Sequence, residues 1–472
     1  MSIKELSLSG FKWNVFGNCT THGINFLLEL LIARMLMPED YGVIGMLAIF
    51  LALAQSFVDS GFSNALIRKT DRTEMDCSTA FYFNIVVGVS AYAILFMAAP
   101  YIAAFYKTPV LTDVVRVLSL TIFINSLGIV PRALRSVAVD FKSQAYASIT
   151  SAIVSGIIGL YMAYHGFGVW ALVWQTVIGA ALSVAVIWQL AHWVPTISFS
   201  WQSFRTLFSY GSKLLLSGLM HKVYTHVSNL IIGKYYSPTD LGYYDRGFQL
   251  ASFPSLKLCG VLHGVTFPIL AKVQNDNERL IHVYRKYQAM ISMVVFFMMT
   301  LLAIVAKPLI TILLTEKWLG AVPFLQVFCF AFMFDTICQL NNNLIYVKGR
   351  SDIFLKLEII KKLAVLPFFL LAIPFGVMAI CCVALIHTFV DIACTTYYIK
   401  RLLGMRDNMY CDISKYFLLS LIACCPTFLI CNLELSPWLS LPIGSLTAGS
   451  IYYACLRNNS QMKELLQILR HQ

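Results

Sequence analysis

Lys222 and His226 stand four residues apart in a mostly apolar stretch, and His221 directly precedes Lys222. A helix there puts Lys222 and His226 on one face, which Lys213, nine residues before Lys222, need not share. The next apolar stretch contains Asp245, Arg246 and Lys257. Others contain Asp59, Arg116, Asp335 and Asp391, or open on Glu358, Lys361 and Lys362. An ionisable side chain in a bilayer costs about 2.5–3.5 kcal/mol at a helix centre, and persists by facing a wet cavity or by pairing. Cations on a cavity wall offset the desolvation of an anionic ligand. A buried carboxylate can titrate near physiological pH, and a histidine takes up a proton in the same range.

On this basis Lys222, Arg246 and Lys257, together with Lys213, Arg116 and Asn341, are candidates for a substrate cavity. Asp59, Asp391 and His226 are candidates for coupling to H+ or Na+. Each has a plainer alternative. Lys213 and Lys257 can snorkel to an interface, and Asp245 can pair locally with Arg246. Asp59 and Asp391 can pair with Arg or Lys on a neighbouring helix, and the histidines can serve helix packing or hydrogen bonding. The run Asn341-Asn342-Asn343 suits hydroxyl-rich ligands because amides both donate and accept. The same run also suits a polar helix end beside a loop.

Catalytic patterns are missing. The chain has no Gly-rich Lys-Ser/Thr phosphate loop, no His-Glu-x-x-His and no paired carboxylates in a long polar loop, so it is not expected to be an enzyme or to drive itself with ATP. The 13 cysteines lie mostly in apolar runs, and the adjacent pairs Cys381-Cys382 and Cys424-Cys425 lack metal-site spacing. Neither disulfides, metal nor cofactor is expected.

The elements that must position these groups follow from composition. The chain is 58% hydrophobic and only 12% charged, against about 25% charged in ordinary soluble domains. Its mean hydropathy is +0.73. Runs of about 20 apolar residues suit membrane helices. Fourteen such runs fall roughly at 14–36, 42–66, 79–102, 112–134, 144–165, 169–192, 208–234, 242–270, 284–306, 321–346, 353–374, 377–399, 413–432 and 438–456. The first is not followed by a small-residue cleavage site and is expected to be retained. With a cytoplasmic N-terminus and alternating helices, 23 Lys and Arg fall on the cytoplasmic side and five on the other. That split predicts cytoplasmic termini and accounts for most of the +12 net charge. No clustered basic face on a soluble element points to nucleic acid.

The chain also repeats itself. Met37-Pro38-Glu39-Asp40-Tyr41-Gly42 and Ser237-Pro238-Thr239-Asp240-Leu241-Gly242 both read x-Pro-x-Asp-x-Gly at an offset of 200 residues. Each follows a helix, at equivalent points of two six-helix halves. Six intervening helices give both halves the same orientation, a parallel repeat. The expected architecture is all-α and polytopic, with an N-lobe at 1–206, a C-lobe at 207–402 and two additional helices plus a cytoplasmic tail at 403–472.

These segments carry a resemblance. Gly10-Phe11-Lys12-Trp13, Ala33-Arg34, Asp59-Ser60-Gly61-Phe62 and Leu241-Gly242-Tyr243-Tyr244-Asp245-Arg246 are similar to the Wzx-type polysaccharide flippases of the multidrug/oligosaccharidyl-lipid/polysaccharide exporter superfamily. So are Phe267-Pro268-Ile269-Leu270-Ala271-Lys272-Val273-Gln274-Asn275-Asp276 and Glu316-Lys317-Trp318. The chain looks closest to the branch of colanic acid exporters, and the likeness runs over essentially its whole length. The resemblance implies two lobes in a V around a central cavity in a bacterial inner membrane. It also implies undecaprenyl-diphosphate-linked oligosaccharide as the substrate, flipped from the cytoplasmic to the periplasmic leaflet by alternating access. Membrane lipid, a polysaccharide polymerase and a chain-length regulator are the implied partners. A cation-coupled multidrug or small-molecule antiporter of the same fold is the alternative. It calls for an acidic or aromatic cavity.

Overall fold

The computed structural model describes residues 3–59, 61–404, 411–433, 435–459 and 461–463. Side chains at 3–11, 14–15, 213–214, 217, 256–265, 351, 355 and 411–412 lie outside that description. Among the described residues every regular element is helical. In chain order they are α1 (Ile3–Met35), α2 (Pro38–Asp59), α3 (Phe62–Arg68), α4 (Glu74–Tyr106), α5 (Leu111–Leu118) and α6 (Leu120–Val137). There follow α7 (Phe141–Tyr164), α8 (Val169–Ala191), α9 (Trp201–Tyr235), α10 (Pro238–Lys272), α11 (Asn277–Ile304) and α12 (Ala306–Leu314). After a 3₁₀ turn at Glu316–Ala321 come α13 (Val322–Val347), α14 (Ser351–Ala372), α15 (Val377–Leu403), α16 (Cys411–Asn432) and α17 (Pro437–Leu456).

Among the described residues ten stretches are long and apolar enough to cross a membrane, against fourteen runs expected over the whole chain. The expected runs in α1, α9, α10 and α14 do form long helices but fall outside the ten. Three of them, α9, α10 and α14, contain the clusters of charge noted in the sequence. The expected fourth run divides at Ser119 into the short α5 and the longer α6. The helices turn large apolar side chains outward: Val86, Ile94 and Met97 on α4 are 63%, 62% and 64% exposed. A water-soluble surface does not carry such continuous apolar cover, whereas hydrocarbon is the matching solvent. The protein is a multi-pass membrane protein.

The chain forms two compact units, Met1–Gly242 and Tyr243–Gln472. In the first, α1 packs on α7, α7 on α8, α4 and α8 on α6, and α2 on α9. Helix α9, which the repeat places at the head of the second half, thus belongs to the first compact unit. It is held there by Tyr106, whose hydroxyl donates to the Met46 carbonyl at 3.0 Å and whose ring abuts Gly233. Lys234 also donates to the Phe105 carbonyl at 2.6 Å. In the second unit α13 packs on α11 and α15, and α14 on α15. The added pair α16 and α17 lies on α11. Tyr452 donates to the Met293 carbonyl at 2.6 Å and stacks on Phe297 at 4.3 Å.

The repeat is visible in the elements. A long helix, a short one and another long one recur as α4–α5–α6 and α11–α12–α13. The x-Pro-x-Asp-x-Gly turns start α2 and α10 in the same way. Proline occupies the first helical position, where its missing N–H is no loss. Asp40 accepts from the Met37 N–H at 2.9 Å, and Asp240 from the Ser237 N–H at 3.3 Å. The turn is a helix-start device used twice.

Candidate functional site

Two polar constellations interrupt the apolar helices, one in each unit. In the first unit Asp59 is the last residue of α2 and is exposed. One turn earlier on the same face, Gln55 donates to its carboxylate at 2.9 Å. Asn125 of α6 donates to Gln55 at 3.2 Å. Arg132, farther along α6, donates to Ser183 of α8 at 3.0 Å. Both Arg132 and Lys222 of α9 act electrostatically on Asp59. Lys222 in turn faces His226, with His221 beside it. Two cations against one carboxylate leave this group net positive, and Asp59 and Lys222 are both accessible.

The structure therefore brings together three of the sequence candidates, Asp59, Lys222 and His226. It adds Gln55, Asn125, Arg132 and Ser183, which the sequence reading did not single out as site residues. The four-residue spacing of Gln55 and Asp59 was the available signal. Arg116 is not in this group. It lies on α5, at the opposite end of α6 from Arg132, with its guanidinium over the Phe96 ring at 4.7 Å. The side chains of Lys213 and Lys257 lie outside the described residues.

The second unit holds a buried network. The Lys361 ammonium of α14 lies 2.6 Å from Glu358 and 3.1 Å from Asp391 of α15. Lys362 lies 3.3 Å from the other Glu358 oxygen. Lys361 is 2% exposed and Asp391 5%. A lone charge so placed would be prohibitive, and each group offsets the cost of burying the other. Asp391 makes the ion pair with a neighbouring helix that the sequence reading allowed, and Lys361 is its partner. One turn later Thr395 donates to the Asp391 carbonyl at 2.7 Å and accepts from the Asn341 amide at 3.0 Å. Tyr284 of α11 donates to the Asn341 side-chain oxygen. Asn341 is fully buried and ties α11, α13 and α15 together, so it is not a polar helix end.

Ligand-type atoms of Asp335, Cys338 and Asp391 lie within 4.8 Å of one another. The Lys361 ammonium already supplies positive charge beside Asp391, so the donor set does not by itself demand a metal.

Arg246 is 4% exposed. It donates to Gln249 at 2.8 Å and lies over the Trp318 ring at 5.2 Å. Tyr243 donates to the Lys317 carbonyl at 3.0 Å. The two sequence motifs Tyr243-Tyr244-Asp245-Arg246 and Glu316-Lys317-Trp318 are therefore one packed structure. Arg246 is held there by Gln249 and Trp318.

Comparison with known proteins supplies the remaining findings. Residues 31–323 match the family described as "Polysaccharide biosynthesis protein". The teichuronic acid biosynthesis protein TuaB of Bacillus subtilis (strain 168) is 28% identical over 357 residues, 75% of this chain and 73% of that protein. The lipopolysaccharide biosynthesis protein WzxC of Escherichia coli (strain K12) is 23% identical over 373 residues, 78% of this chain and 75% of that protein. Among solved structures, the lipid II flippase MurJ in an inward closed conformation superposes with a TM-score of 0.74 at 13% identity. The match covers 94% of this chain and 99% of that one. At that identity the match establishes a shared fold.

Proposed function

The chain belongs to the polysaccharide biosynthesis protein family, and on that premise we propose that it carries a lipid-linked oligosaccharide across the membrane. The observation that carries this reading is a coincidence of two kinships. Its sequence relatives are named for building polysaccharides, and its fold is shared with a protein named for flipping a lipid-linked precursor. An all-helical body of apolar surface suits a substrate whose lipid stays in the bilayer while its polar head crosses.

In this reading the substrate is an undecaprenyl-diphosphate-linked repeat unit moving from the cytoplasmic to the periplasmic leaflet of a bacterial inner membrane. Alternating access between the two halves drives the crossing. The net-positive group around Lys222 and Arg132 attracts the diphosphate or acidic sugars, since cations offset the cost of bringing such a group out of water. Asp59 and His226, within electrostatic reach of those cations, are the H+ or Na+ coupling candidates of the first unit. Asp391 is that of the second. A polymerase and a chain-length regulator take up the product. Small-molecule antiport calls for an acidic or aromatic site, and the surplus of cations around Asp59 weighs against it.

A deletion strain tests the reading. Lipid-linked oligosaccharide should accumulate facing the cytoplasm and polymer should fall, both restored by the wild-type chain. An unchanged lipid-linked pool with altered drug sensitivity would overturn it in favour of antiport.

A further inference from the structure

The turn from α13 into α14 and the last turns of α15 border an open pocket of about 450 Å³. Arg350, Asp352 and Lys356 line it from the α14 side, and Tyr398 and Arg401 from α15. Arg350 makes two parallel bonds to Asp352, each 2.9 Å, so this guanidinium and carboxylate largely cancel. Lys356 and Arg401 are exposed and make no ion pair among the described residues. The cavity thus carries three cations against one carboxylate, a net charge of +2. Lys356 heads a helical face of α14 that continues as Ile359, Leu363, Leu366 and Leu370, exposed by 45%, 64%, 45% and 62%. A cationic pocket therefore opens onto an apolar track one helix long.

We propose that this cavity binds the phosphorylated headgroup of a membrane lipid whose chain lies along the α14 track. Cations concentrated in a pocket between membrane helices suit such headgroups, in contrast to cations scattered along loops, which serve orientation alone. A phosphodiester or a diphosphate offers the oxygens that Lys356, Arg401 and the Tyr398 hydroxyl can bond. The ligand chemistry is shared by an anionic phospholipid and by a polyprenyl diphosphate. The inference does not rest on glycan transport, because binding is read without it.

The test is native mass spectrometry of the full chain in neutral detergent. The probes are phosphatidylglycerol, phosphatidylcholine, a polyprenyl diphosphate and inorganic diphosphate. Phosphatidylglycerol or the polyprenyl diphosphate should be retained over phosphatidylcholine. The double variant Lys356→Gln/Arg401→Gln should weaken retention at least about tenfold. Leu363→Ser/Leu370→Ser should weaken the lipids and leave inorganic diphosphate unchanged. Arg457→Gln, outside the cavity, should bind as wild type. Retention of both anionic lipids assigns the site to headgroups generally, and retention of the diphosphate lipid alone assigns it to that lipid. Should the double variant not fold, each single variant is read in the same way. Unchanged retention in the Lys356 and Arg401 variants, or equal retention of phosphatidylcholine, would overturn the proposal.

Discussion

A Cβ placed on Gly42 would lie 1.7 Å from the carbonyl oxygen of Pro238, and one on Gly242 would lie 1.9 Å from that of Pro38. The two copies of the repeated turn touch each other backbone to backbone, each glycine seated against the proline of the other copy. Small residues permit such approach between membrane helices, where packing and weak Cα–H···O contacts replace a hydrophobic drive. Gly42→Ala must push backbone aside and should cost at least about 1–3 kcal/mol of stability. Gly23→Ala, whose added carbon meets nothing within 4 Å, should be near neutral. Thermal unfolding of both variants in one detergent checks this. Equal melting temperatures would refute the close approach.

Among the described residues of the second unit, Lys361 and Asp391 form the most deeply buried ion pair. Removing one partner strands a charge, and Lys361→Met alone should cost about 3–5 kcal/mol. Lys361→Met/Asp391→Leu removes both charges and should recover most of that loss. The recovered protein then separates two roles. Normal abundance with normal glycan export makes the pair structural, and normal abundance with lost export places it in coupling.

Tyr284 donates to the buried side-chain oxygen of Asn341. Tyr284→Phe leaves that acceptor without its hydroxyl partner and should cost about 1–3 kcal/mol. Asn341→Leu, which abandons both bonds at once, is expected to change export only through stability. A melting curve paired with an export assay at matched abundance checks this. Export loss in a fully stable Asn341→Leu protein would show contact with substrate.

Lys222 and Asp59 are both accessible and lie close enough to act on each other. Accessible charges contribute little to stability, so Lys222→Gln should leave abundance unchanged. Glycan export should fall several-fold, with a smaller fall for Gln55→Leu, which removes a link between Asn125 and Asp59. Quantifying polymer against protein abundance decides between this and a purely structural role.

Much of the architecture was legible because apolar runs of helical length and paired Pro-x-Asp-x-Gly turns are local signals. Helices that carry a charged face were harder. Regions α9, α10 and α14 read as membrane runs and do form long helices, but they are not among the ten long apolar stretches of the described residues. Site assembly was less legible. Asp391 and Lys361 are 30 residues apart, and only the packing of α14 on α15 joins them. Arg246 and Lys222 look alike as cations in apolar runs. One is buried over Trp318 and the other is exposed, a difference set by neighbours distant in sequence. Arg116 read as part of a long run and does lie in one crossing-length stretch, Leu111–Val137, within which the helix breaks at Ser119 just after it.

The purified chain in sealed vesicles, given a lipid-linked oligosaccharide in one leaflet, offers the most direct measurement. The fraction of head groups reached by a membrane-impermeant glycosidase on the other side should rise with protein, and should fall back in Lys222→Gln. A rate equal to protein-free vesicles, with the wild-type chain folded and correctly inserted, would contradict glycan passage.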